Sequence, residues 1–134
     1  MCFVDILGTK FMTQKFQFGA FAENLAADFL IQRGYSILDK NFRRKWGEID
    51  LVACKNNVLV FIEVKASIGN FAGFEPEHRA GRDKMLKVLR TAKTYLSYNK
   101  LGTDREWQLD VVAVTLDKAT RSAHVKHFKN IMGE

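Results

Sequence analysis

Residues 47–65, GEIDLVACKNNVLVFIEVK, constrain this chain more than any other stretch. Apolar and β-branched residues flank Asn56-Asn57, which reads as two strands joined by a two-residue turn. Asparagine tolerates the positive φ that a type I′ turn demands. A turn there fixes the register. Lys55 then faces Val58, Cys54 faces Leu59, Ala53 faces Val60, Leu51 faces Ile62 and Ile49 faces Val64. On the face that holds Cys54 and Leu59, Val52 meets Phe61, Asp50 meets Glu63 and Glu48 meets Lys65. This pairing sorts apolar from charged positions, as a half-buried hairpin must. Four charges sit where strand interiors normally exclude unpaired charge.

The register has a chemical consequence. Residues directly opposite each other have Cβ atoms ~4.5–5.5 Å apart, so the Asp50 and Glu63 carboxylates repel unless one is protonated or a cation holds them. A donor set made only of oxygen suits Mg²⁺ or Mn²⁺. Lys65 lies two residues beyond Glu63 on the same face. Two carboxylates, a divalent cation and a lysine together suit phosphodiester hydrolysis. The cation would polarise a phosphate and lower the pKa of a bound water, and the lysine would orient that water or stabilise charge. The bland alternative is an ordinary Glu48–Lys65 ion pair, with Asp50 and Glu63 at a wet sheet edge. The gathering of all four charges on one face favours the site.

The rest of the chain supplies a frame. Phe18, Phe21, Ala22, Leu25, Phe29 and Leu30 recur at helical spacing, predicting a helix over Phe18–Arg33 with Gly34 as its C-terminal cap. By spacing alone, Glu23 on that helix reads as a solvated charge. Tyr35–Leu38 reads as a strand. Asp39–Trp46, DKNFRRKW, reads as a loop carrying Arg43, Arg44 and Lys45 beside Phe42 and Trp46. Such a loop suits a nucleic-acid backbone with exposed bases, or equally a solvated segment anchored by two aromatics. Ala66–Gly81 reads as a connection with a helical turn after Pro76. A second helix is predicted over Asp83–Tyr98, with Met85, Val88, Leu89, Ala92, Tyr95 and Leu96 inward. Lys84, Lys87, Arg90 and Lys93 form a basic ridge on it, either a solvated face or a phosphate-contacting one. Trp107–Thr115 is a buried strand in which Asp110 is the exception, and Ser122–Phe128 is a last strand. His124 and His127 fall on opposite faces of it and do not suit a shared metal site. Met1–Lys15 is open between a strand fragment and a loose arm.

This order predicts an α/β fold, a mixed sheet flanked by helices, in a single domain over residues 1–134. The formal net charge of +6 permits a polyanionic partner. The two cysteines, Cys2 and Cys54, match no metal or redox spacing, and no apolar run is long enough to span a membrane. A cytoplasmic location is the expectation.

Asp50 followed by Glu63-Val64-Lys65 resembles the PD-(D/E)xK nuclease signature, although Ile49 stands where that signature has proline. More closely, the chain resembles the small bacterial YraN family, whose members look similar to Holliday junction resolvases. The resemblance runs from Phe18 onward. It rests on Gly19, Glu23 and Ala26, on Gly34-Tyr35, Asn41 and Arg43, on GEIDLVA and FIEVK, on Lys84, Ala92 and Tyr95-Leu96, and on LDVVAV. It implies a restriction-endonuclease-like αβββαβ core. It makes Asp50 and Glu63 ligands of Mg²⁺ or Mn²⁺, Lys65 the catalytic lysine, Glu23 an active-site neighbour and Glu48 a secondary carboxylate. The expected activity is metal-dependent endonuclease action on DNA, branched or otherwise structured, with Arg43, Arg44, Lys45, Lys84 and Lys87 on the backbone. A dimer is the expectation for a resolvase-like enzyme whose substrate is two-fold symmetric. The competing expectations are a non-catalytic nucleic-acid-binding module that keeps the fold, and an assembly subunit.

Overall fold

In the computed structural model Asn56 and Asn57 take φ of 51° and 65°, the left-handed pair that a type I′ turn requires. From Lys55↔Val58 to Leu51↔Ile62 the register is the one the sequence dictates. The structure describes residues 2–5, 15–69, 82–99 and 105–131. In chain order they form β1 (Cys2–Asp5), α1 (Lys15–Gln32), β2 (Ser36–Arg44), β3 (Gly47–Lys55), β4 (Val58–Ile68), α2 (Arg82–Tyr98), β5 (Trp107–Asp117) and β6 (Ser122–Phe128).

These strands make one six-stranded sheet in the order β1-β6-β5-β4-β3-β2. β4 and β5 are parallel and every other neighbouring pair is antiparallel. The connection between β4 and β5 contains α2, because a parallel neighbour can be reached only by a long crossover. The fold is therefore α/β with a mixed sheet. Its run from α1 to β5 has the αβββαβ order and is compatible with a restriction-endonuclease-like core.

Alternation along β4 separates two cores. Val60 and Ile62 pack with Ala22, Leu25, Ala26, Phe29 and Leu30 of α1. Leu59 and Phe61 pack with Ala92, Tyr95 and Leu96 of α2. The two helices thus cover opposite faces of the sheet. α1 ends in a Schellman motif, with Gly34 at φ 93°, Gly34 N–H donating to Ile31 O and Tyr35 N–H donating to Leu30 O, both at 3.0 Å.

Four expectations change, the first being that Ala66–Ile68, expected in the connection, continues β4 and pairs with β5 as far as Ile68↔Leu116. Asp39–Arg44 is strand rather than loop, because β2 continues to pair with β3 through Arg43↔Glu48 and Arg44↔Gly47. The N-terminal segment contributes β1, an edge strand antiparallel to β6; residues 6–14 lie outside the described part, as does the helical turn expected after Pro76. Ile49 does not share a face with Leu51. It joins the α2 core with Val52 and Phe42, whereas Leu51 and Ala53 join the α1 core. Strict alternation therefore breaks at Asp50. Among the described residues no helix is long and apolar enough to cross a membrane.

Candidate functional site

The break in alternation builds the site. The β3–β4 ladder has its last backbone pair at Leu51↔Ile62. One residue further out, the Asp50 carboxylate accepts the Val64 N–H through Oδ2 at 2.8 Å. A side-chain oxygen thus takes up a donor that a continuing ladder would give to a backbone carbonyl. The carboxylate is pinned to β4, and a cleft of about 420 Å³ lies between the strand ends and α2, lined by Asp50, Glu63, Lys65, Glu48 and Lys87.

The expected pairing of Glu48 with Lys65 is not what forms. Glu48 Oε2 lies 3.2 Å from Arg43 Nε, its cross-strand neighbour on β2. Lys65 Nζ lies 3.1 Å from Glu63 Oε2 on its own strand. The expected register was extended past the point where Asp50 ends the ladder, so its two outermost charge pairings do not hold as backbone partners. Asp50, Glu63 and Lys65 nevertheless line one cleft.

Asp50 is the strained member electrostatically. Burial pushes its pKa from 3.8 up to about 6; the Val64 hydrogen bond opposes this, and the charges of Glu23, Glu48 and Glu63 add to it. Glu23 therefore acts on Asp50 from α1, although by helical spacing it reads as a solvated charge. A carboxylate crowded by three others in partial burial is the arrangement a divalent cation relieves.

Among the described residues no three His, Cys, Asp or Glu side chains are gathered to hold a metal. Mg²⁺ keeps several waters and takes only one or two carboxylates plus substrate phosphate. Asp50 and Glu63 are an oxygen donor set of that kind.

The basic residues divide. Arg43, Arg44, Lys45 and Lys87 line a second depression that shares Gly47, Glu48 and Lys87 with the cleft. Arg43 is engaged by Glu48. Arg44 stacks on Phe42, 4.2 Å from its ring centroid. Lys45 and Lys87 are exposed. Lys84 lies on α2, with its side chain outside the described residues.

Sequence reasoning missed one polar centre. The Asp110 side chain is fully buried and its Oδ2 lies 2.7 Å from His127 Nε2. Its Oδ1 accepts from Gln108 Nε2 at 2.9 Å and from Asn130 N–H at 2.8 Å. This knot ties β5, β6 and the C-terminal segment together. A lone aspartate inside an apolar strand was the signal for it.

The description "Uncharacterised protein family UPF0102" belongs to the family model that matches residues 22–114. A UPF0102 protein of Clostridium botulinum (strain Alaska E43 / Type E3) is 34% identical over 84% of this chain and 90% of its own length. One from Campylobacter fetus subsp. fetus is 34% identical over 88% of this chain and 96% of its own. One from Campylobacter hominis is 38% identical over 78% and 89%.

Proposed function

From a chain that belongs to the UPF0102 family we propose a metal-dependent endonuclease that hydrolyses phosphodiester bonds in DNA, branched or structured DNA in particular. The observation that carries this reading is Asp50. It is locked to the Val64 N–H, raised to a pKa of about 6 by burial and by Glu23, Glu48 and Glu63, and set in one cleft with Glu63 and Lys65.

In this reading Asp50 and Glu63 hold Mg²⁺ or Mn²⁺, with Glu23 and Glu48 as outlying carboxylates. A bound divalent cation supplies charge neutralisation at the phosphate and a lowered pKa for the attacking water. The chain does the rest. The Val64 hydrogen bond fixes the Asp50 carboxylate, so no reorganisation is needed when charge builds. Glu63 holds the Lys65 ammonium at 3.1 Å, where it can donate to a phosphate oxygen as negative charge develops. Lys45, Lys87 and the neighbouring arginines attract the backbone.

The test is Mg²⁺-dependent cleavage of junction, flap and linear DNA by wild type, Asp50→Ala and Lys65→Met. Asp50→Ala should abolish cutting, and Lys65→Met should slow it by roughly a hundredfold or more. If wild type cuts nothing that Asp50→Ala leaves intact, the activity is refuted. A second reading, a nucleic-acid-binding module that keeps the fold, has one observation on its side: no three-ligand cluster exists among the described residues. It predicts salt-sensitive DNA binding with no metal-dependent turnover.

A further inference from the structure

The cleft does not end at Lys87. The basic depression over Arg44, Lys45 and Lys87 also contains Trp46. Trp46 in turn lines a third and larger groove of about 690 Å³ along α2, together with Leu86, Arg90, Lys93 and Tyr98. Shared walls join the three: Gly47, Glu48 and Lys87 between cleft and depression, Trp46 between depression and groove. A continuous path therefore leads from Asp50 and Glu63 to the outer end of α2.

The far groove differs in chemistry from the near depression. Tyr98 and Leu86 are exposed, at 69% and 52%. Guanidinium groups lie against the aromatic rings: Arg90 is 4.2 Å from the Trp46 centroid, and Arg44 is 4.9 Å from that of Tyr98. Among the described residues lining the groove none is acidic. Positive charge alone would serve a paired duplex, whose base faces are hidden. The largely exposed ring of Tyr98, set among cations, matches a strand whose bases are unstacked and available.

We infer that this groove seats unpaired nucleotides of single-stranded DNA running out of the cleavage cleft. The inference rests on the nuclease reading for its direction and deepens it. The substrate class becomes DNA with a single-stranded flank beside the scissile phosphate, such as a flap, fork or gap, rather than a fully paired duplex. Tyr98 supplies the outer stacking face, and Arg90 and Lys93 accompany the backbone.

The experiment is metal-free binding by fluorescence anisotropy. Fluorescein-labelled oligodeoxythymidine of about ten nucleotides is compared with a blunt duplex of equal length, against wild type, Tyr98→Ala and Tyr98→Phe. Tyr98 is largely exposed, so neither substitution removes core. Tyr98→Ala should weaken single-strand binding roughly tenfold, leave duplex binding within about twofold, and be rescued by Tyr98→Phe, which keeps the ring. Equal losses on both ligands, no loss on the single strand, or failure of Phe to rescue would each overturn the inference. Because the assay contains no metal, a failed cleavage experiment would sink the activity and leave the single-strand seat standing.

Discussion

At the scale of single residues, Asp50 couples the site to stability. Its pKa is 3.8 in an ordinary setting and about 6 here, so the folded state holds its proton more tightly than the unfolded chain does. Protonation of this group therefore favours the fold. Its contribution is fully present below about pH 4, is lost as pH rises toward 6, and leaves a penalty above that. Asp50→Asn removes the charge and keeps a carbonyl oxygen for the Val64 N–H. Without metal, the variant should be more stable than wild type at about pH 8, by on the order of 2 kcal/mol, and the gap should close near pH 4. Thermal melts of both proteins across that range check it. Equal melting curves at both ends would mean that Asp50 is not strained. Mg²⁺ added at about pH 8 should raise the wild-type midpoint and leave Asp50→Asn unmoved, since a ligand that binds only the native site stabilises it.

At the scale of elements, the start of β3 is held unusually close to α2. A Cβ built on Gly47 would come 2.6 Å from Thr91 Oγ1 and 3.4 Å from Lys87 O. Thr91 cannot easily yield: it is buried, and its hydroxyl donates to Lys87 O at 2.7 Å. This approach sets where Lys87 stands over the cleft. Gly47→Ala should destabilise by about 1–3 kcal/mol, the usual cost of overpacking. Thr91→Ala in the same chain should relieve part of it, a coupling that a double-mutant cycle by denaturant unfolding reads directly. Additive losses would show that the two elements do not press on each other. Elements with strong local signals were legible in the sequence: the Asn56-Asn57 turn, the Gly34 cap, and the apolar stripes of both helices apart from Met85, whose side chain lies outside the described residues. β2 was not. Most of its residues face water and only Phe42 is buried, so an edge strand of this composition has no apolar period to separate it from a loop. The turn in alternation at Asp50 was equally hidden. Strand periodicity assumes a continuous ladder, and the ladder is ended by a side chain.

For the whole molecule, the sheet brings α1, β3 and β4 together so that Glu23 acts on Asp50 from one helix while Lys87 overlooks it from the other. The hairpin triad Asp50, Glu63 and Lys65 was visible from sequence because its members are close in the chain. Glu23 entered only through family resemblance; Trp46 was legible as an aromatic beside basic residues, but its grouping with Tyr98 was not, because Tyr98 comes from α2. The net charge of +6 matters functionally only where it is concentrated, and the path from cleft to groove carries Arg44, Lys45, Lys87, Arg90 and Lys93. Binding there should therefore weaken steeply with salt, since each phosphate neutralised releases counterion. Lys87, exposed at the junction of cleft and depression, should contribute one such contact wherever the strand lies. Lys87→Gln should weaken single-stranded and duplex DNA alike and reduce the slope of log K against log salt by about 1. Tyr98→Ala should leave that slope unchanged while lowering single-strand affinity, because stacking releases no counterions. Anisotropy titrations over a salt series separate the two. An unchanged slope for Lys87→Gln would remove this face of α2 from the DNA path, and a reduced slope for Tyr98→Ala would mean that charge, not stacking, holds the strand in the groove.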